Sequence, residues 1–229
     1  MNARRNIYAV VPIKDTSDAK RRLAGMFGAA RRQELALAMF EDVLATLAGV
    51  RELAGILVVT VDPAAAAIAP RYRARVLRAG AREGHTGAVA AAARELAAEA
   101  MLTVPGDVPL VEGGDIREII DVHRRTTSDG RAFTIVPARD ECGSNAILCS
   151  PAGAVLLRFG ADSFFPHLAA AKRCGIEPAV VRLPRIALDI DTPDDVAQFL
   201  ATPSHTRARA LLAQWRVRLD EGMSPTATA

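Results

Sequence analysis

Lysine is almost missing from this chain. Of its 29 basic residues only three are lysine (Lys14, Lys20 and Lys172), and the other 26 are arginine. Aromatic residues make up 4% of the 229 positions, cysteine occurs three times, and 29 basic against 26 acidic residues leave a formal charge of only +3. Each scarcity excludes something. Three cysteines (Cys142, Cys149 and Cys174), odd in number and without C-x-x-C spacing, argue against a disulfide framework or a zinc site and point to a reducing cytoplasm. No apolar run reaches the ~18 residues of a membrane helix, because Arg, Glu, Gly or Pro interrupts every one. The first such run, Ile7 to Ile13, contains Pro12 and lacks a small-residue cleavage site, so it reads as a buried strand rather than a signal peptide. A balanced charge with half the residues apolar excludes intrinsic disorder and argues against a dedicated nucleic-acid binder.

What is present is an alternation of short β-branched runs with helical patterns. Strands are expected at Ile7–Ile13, Ile56–Val61, Arg75–Arg78, Met101–Val104, Phe133–Pro137, Ala146–Cys149 and Ala179–Leu183. Helices are expected at Arg31–Ala48, Ala88–Ala100, Asp115–Arg125, Ser163–Cys174 and Pro193–Leu200. This order implies an α/β fold of three layers, a mostly parallel sheet covered by helices on both faces. A single domain over residues 1–222 is expected, followed by a disordered tail at 223–229. Near the end, Arg207, Arg209, Arg216 and Arg218 surround Leu211, Leu212, Trp215 and Leu219. That pattern reads as a solvated helix docked by its Leu/Trp face, the alternative being a basic helix touching RNA or an anionic surface.

In open α/β sheets, ligands bind where loops leave the carboxyl ends of the strands. After the first strand comes Lys14-Asp15-Thr16-Ser17-Asp18-Ala19-Lys20-Arg21-Arg22, which holds two of the three lysines within seven residues. Flexible ammonium groups follow a moving phosphate, so this loop is either a polyphosphate cradle or a solvated basic loop. It is neither a Walker A loop nor a G-x-G-x-x-G turn. Asp107 sits in Pro105-Gly106-Asp107-Val108-Pro109, where it is either a hard-cation ligand or a turn residue capping its own backbone. Asp189 and Asp191 alternate around Ile190 and project to one side of an extended segment, within reach of the cation Asp107 would hold. Thr192, Pro193 and Asp195 form a helix start, to which Asp194 is also assigned.

Gly84-His85-Thr86-Gly87 precedes the alanine-rich helix, whose amides are able to meet an anion or a base edge. Gly143-Ser144 and Gly160-Ala161-Asp162-Ser163 each join glycine to a hydroxyl, as small phosphate nests or ordinary turns. His167, on the helix after Ser163, is expected to be a packed or capping residue rather than a catalyst. No spacing favours a covalent hydrolase.

Taken in order, V-P-I-K-x5-K-R-R-L-A, P-G-D-V-P-L, G-S-N-A-I-L, F-G-A-D-S-F-x2-H and L-D-I-D-T-P-D-D-V resemble the CofC/FbiD family of guanylyltransferases of deazaflavin coenzyme F-420 biosynthesis, from about Val10 to Leu200. The resemblance implies a Rossmann-like, GT-A-like nucleotidyltransferase fold. It also implies transfer of GMP from GTP to 2-phospho-L-lactate, phosphoenolpyruvate or 3-phospho-D-glycerate, with release of diphosphate. Lys14, Lys20 and Asp107 would be catalytic. Lys14, Lys20, Arg22, Gly84 and Thr86 would bind GTP. Asp107, Asp189 and Asp191 would hold magnesium, and Ser144, Gly160 and Ser163 the acceptor. The chain departs from the family in having Gly84-His85-Thr86 for G-L-N and Gly143-Ser144-Asn145 for G-T-N. The expected partners are GTP and a small phosphorylated acid, without nucleic acid or membrane, and a homodimer is left open. The alternatives are a nucleotidyltransferase of molybdopterin or sugar-phosphate type, or a non-catalytic nucleotide- or RNA-binding protein on the same fold.

Overall fold

The computed structural model describes residues 6–160 and 162–217. Seven strands form one sheet: β1 (Ile7–Pro12), β2 (Leu53–Val59), β3 (Ala74–Leu77), β4 (Ala100–Thr103), β5 (Ala132–Pro137), β6 (Ser144–Ser150) and β7 (Ala179–Val180), in the order β3-β2-β1-β4-β6-β5-β7. β1, β2, β3 and β4 pair in parallel. β6 is antiparallel to both β4 and β5, and β7 is parallel to β5. β6 is therefore the one reversed strand, and the expected mostly parallel sheet is present.

Alternate residues of each strand face opposite layers. Ala9, Val11, Val58 and Leu102 pack under α1 (Ala29–Ala48) and α4 (Gly113–Thr126), against Phe40, Val43, Leu44, Ile116 and Ile119. Val10, Leu57, Met101 and Ile135 pack on the other face under α3 (Gly84–Leu96) and α5 (Phe164–Arg173). The other helices are α2 (Pro63–Ile68), α6 (Pro184–Ala187), α7 (Pro193–Ala201) and α8 (Arg207–Gln214). A third apolar cluster, with Leu23, Phe27, Met39, Ile190, Phe199, Ala208 and Leu212, packs α1, α7 and α8 together.

Several boundaries differ from expectation for identifiable reasons. α3 starts at Gly84, not Ala88, because its glycines form the first turn itself. Gly80 holds a left-handed φ of +72° just before it, where a Cβ would lie 2.4 Å from the Gly87 oxygen, so only glycine fits. Ala100, expected as helix, opens β4. β7 ends at Val180 rather than Leu183, because Leu183 caps α6 and Pro184 begins it. The start of α7 is as expected: Thr192 Oγ1 accepts from Asp195 N–H at 3.3 Å, and Asp195 Oδ2 accepts from Thr192 N–H at 2.8 Å, a reciprocal cap.

α8 is docked, with Ala208 and Leu212 fully buried and Trp215 tilted against Phe27 at 5.3 Å. Of the basic residues here, Arg209 is half-buried while Arg207 and Arg216 are exposed. Arg209 donates to the carbonyls of Phe199 and Thr202, and Arg207 donates to Asp42, so both help to hold the docked helix. Arg218, Leu219 and the expected tail at 223–229 lie outside the described residues.

Candidate active site

The strand order reverses at β1 and β4, so loops leaving their carboxyl ends diverge and open a crevice. A cavity of about 470 Å³ occupies it, walled by Lys14, Lys20, Arg22, Asp107 and Asp191 together with His85. The loop after β1 is tied down at two points. Asp62 accepts from Thr16 N–H (2.7 Å) and Oγ1–H (2.6 Å), and Arg32 donates to Ala19 O at 3.0 Å. Lys20 then enters the left-handed region (φ 52°), ahead of a 3-10 turn at Arg21–Leu23 anchored by buried Leu23. On the opposite wall, Ile190 N–H donates to Asp107 O at 3.0 Å, which lays the 189–191 segment beside the loop after β4.

These constraints meet at Lys20. Its Nζ lies 2.6 Å from Asp107 Oδ2 and 2.7 Å from Asp191 Oδ1, with 8% of the side chain exposed. Burial opposes the ammonium, but the two carboxylates outweigh it and raise the lysine above its ordinary value. Burial likewise works to raise Asp191, yet the Lys20 charge brings it below the usual carboxylate range. Asp189 goes the other way: burial and then the Asp107 charge raise it, while Asn145 Nδ2 donates to it at 3.1 Å. Asp189 lines an adjoining recess with Arg22 and Arg139. Asp107 Oδ1 is buried without a hydrogen-bond partner.

An orphaned carboxylate oxygen is the donor chemistry a hard cation uses, so Asp107 by itself suits magnesium. Among the described residues, however, no three His, Cys, Asp or Glu side chains stand close enough to form a ready metal cluster. Lys20 neutralises the pair instead.

Gly84 and Thr86 are not on the cavity wall; the residue between them, His85, is. Its ring lies 4.2 Å from that of Phe159, and burial lowers its pKa to about 4. The Thr86 hydroxyl instead accepts from Phe159 N–H at 2.9 Å, tying α3 to the loop before α5. That loop meets the start of β6. Because β6 runs backwards, its first residues lie at the edge where the parallel strands end, and Phe164 N–H donates to Cys142 O at 2.8 Å. Ser163 Oγ and Ser144 Oγ are 3.2 Å apart, and His167 Nδ1 is 3.0 Å from Ser144 Oγ. Gly160 is exposed on the same loop. The structure thus gathers the candidate residues into two groups, a Lys/Asp crevice and a serine pair, with His85 and Phe159 between them. His85 and the His167–Ser144 bond escaped the sequence reading: a lone histidine carries no periodic signal, and only the fold shows what it faces.

A doubly wound sheet with a basic loop after β1 and carboxylates after β4, opening on a nucleotide-sized crevice, defines a nucleotidyltransferase. Solved structures share the fold: a nucleotidyl transferase from Methanothermobacter has a TM-score of 0.62 at 18% identity, covering 86% of this chain and 96% of that one. The chain belongs to the family described as Guanylyl transferase CofC like, whose model matches residues 7–228. A phosphoenolpyruvate guanylyltransferase of Conexibacter woesei is 38% identical over 192 residues, 82% of this chain and 85% of the relative. A 3-phospho-D-glycerate guanylyltransferase of Colwellia psychrerythraea is 34% identical, over 82% of this chain and 88% of the relative. The protein is accordingly an enzyme of the guanylyltransferase class.

Proposed function

We propose that the chain transfers GMP from GTP to a small phosphorylated acid (phosphoenolpyruvate, 3-phospho-D-glycerate or 2-phospho-L-lactate) as a step of coenzyme F-420 biosynthesis in the cytoplasm. The observation that carries this reading is the braced Lys20–Asp107–Asp191 group facing a crevice that also holds Lys14 and Arg22, with a hydroxyl pair on the adjoining loop. Relatives named for phosphoenolpyruvate and 3-phospho-D-glycerate support the acceptor class. Three free cysteines support a reducing compartment. No helix among the described residues is long and apolar enough to cross a membrane.

In this mechanism the acceptor's phosphate oxygen attacks the α-phosphorus of GTP, the α–β phosphoanhydride bond breaks, and diphosphate leaves. No protein nucleophile takes part. Lys14 and Arg22 bind the triphosphate, and Lys20 stabilises charge on the departing diphosphate. Ser144, Gly160 and Ser163 orient the acceptor for in-line attack. Asp107, Asp189 and Asp191 would hold magnesium, whose chemistry when bound is neutralisation of charge on the triphosphate. The test is diphosphate release from GTP with each of the three acids in parallel, with CTP and ATP as competing donors. Turnover with one acid and GTP is expected; turnover with none of the three, or with CTP preferred, overturns the proposal.

A further inference from the structure

We propose that His167 is a positioning residue, which fixes the Ser144 hydroxyl as a hydrogen-bond donor toward the acceptor's anionic group. This rests on the reading of Ser144 as part of the acceptor site.

A backbone amide can only donate, and Arg158 N–H reaches His167 Nε2 at 3.0 Å. That nitrogen is therefore bare, and the single proton of the neutral ring lies on Nδ1. Nδ1 is 3.0 Å from Ser144 Oγ, so the ring donates to the hydroxyl. Ser163 Oγ donates to the same oxygen at 3.2 Å. Ser163 occupies the position before α5 where a serine ordinarily caps the helix, yet its side chain makes no cap bond.

With both lone pairs of Ser144 Oγ filled, its own proton remains to be given, and no group in the described residues takes it. A freely turning hydroxyl would present a lone pair to an anion part of the time. One held from behind by two donors presents only its proton, and that preorganisation favours an anionic ligand.

The ring itself is 1% exposed, packed edge-on against Phe159 at 5.1 Å, and faces His85 beyond it. Burial, then the neighbouring His85, lowers its pKa to about 4, which keeps the neutral ring in place at working pH. The sequence offers only a histidine four residues after a serine, a spacing shared with any helix start.

Two substitutions divide the ring's tasks. His167→Asn keeps an N–H near Nδ1 and gives up the acceptor for Arg158. His167→Gln keeps an acceptor for Arg158 and gives up the donor to Ser144. With phosphoenolpyruvate, or whichever of the three acids turns over, His167→Gln is expected to raise the acceptor KM about tenfold, the worth of one hydrogen bond to a charged group. Its kcat and GTP KM should change little, and His167→Asn should stay within about threefold of wild type. Equal acceptor KM values in the two variants, or a parallel rise in the GTP KM, overturn the positioning role.

Nitrogen-15 spectra of the wild-type imidazoles supply a check independent of folding in the variants. Nδ1 is expected to carry the proton and Nε2 to be bare, and the reverse tautomer ends the proposal. Ser144→Ala separates the two failures. If it leaves the acceptor KM unchanged, the acceptor-site reading fails; if it raises the KM while His167→Gln does not, only the role of His167 fails.

Discussion

At the residue scale, the few lysines matter most where one is buried. Lys20 holds Asp107 and Asp191 from a left-handed backbone position, a conformation that costs a non-glycine residue about 1–2 kcal/mol. The surrounding ties at Thr16 and Ala19 enforce it. Replacing the ammonium with an apolar chain of similar length, Lys20→Met, leaves two carboxylates facing one another. Breaking a fully buried pair costs about 3–5 kcal/mol. These carboxylates are 29% and 41% exposed, so about 1–3 kcal/mol is expected here.

If magnesium binds where Lys20 now neutralises charge, added magnesium should raise the melting temperature of Lys20→Met more than that of wild type. Equal responses in thermal melts with and without magnesium would remove Lys20 from that role. Asp107→Asn should keep the fold but lose nearly all turnover, and because it takes one charge from the partly buried pair with Lys20 it should also be less stable than wild type by about 1–2 kcal/mol. Near-normal diphosphate release by that variant would remove Asp107 from the metal assignment.

At the element scale, α8 shows how a distant helix supports the crevice. Asp42, on α1 and 6% exposed, accepts from the α8 amides of Arg207 (2.8 Å) and Ala208 (2.9 Å), two donors a helix start cannot satisfy internally. The cluster it closes contains Leu23, at the end of the lysine loop, and Ile190, between the two aspartates. Asp42→Ala should therefore destabilise the fold by about 2–4 kcal/mol, the loss of two charge-assisted bonds in a buried site. The only tryptophan, Trp215, reports on the docking. Its emission should shift to the red and quench more readily in Asp42→Ala, with turnover falling in parallel. An unshifted spectrum would show that α8 stays docked without Asp42.

Helix starts such as Thr192-Pro193-Asp194-Asp195 were legible in the sequence because capping is a local matter of hydrogen bonds within four residues. The direction of β6 was not, because strand pairing is decided by partners far along the chain. That direction has a consequence for the site. Residues after a parallel strand reach the ligand edge, whereas in the reversed β6 it is the first residues, Ser144 and Asn145, that do so.

At the scale of the whole molecule, the alternation of apolar runs and helices was sufficient for the layers and for the loops after β1 and β4 that line the crevice. What it withheld was contact between loops: Lys20 is 87 residues from Asp107 and 171 from Asp191. The buried histidines, also beyond the reach of pattern, give the molecule an acid limit. His123 lies between Thr134 Oγ1 (3.0 Å) and Ser150 Oγ (2.7 Å) behind the sheet, and His167 lies behind Ser144. Burial, then Arg124 for His123 and His85 for His167, lowers each from the ordinary 6.5 to about 4. Between those values the unfolded chain binds protons that the native protein refuses, so stability rises with pH across the window and levels off above it. Denaturant midpoints are expected to hold steady above about pH 6.5 and to fall as the pH drops toward 4, before most carboxylates titrate. His123→Gln, which can still bond to both hydroxyls, should flatten part of that slope. A wild-type midpoint that stays level down to about pH 5 would mean that these rings accept protons without leaving their places.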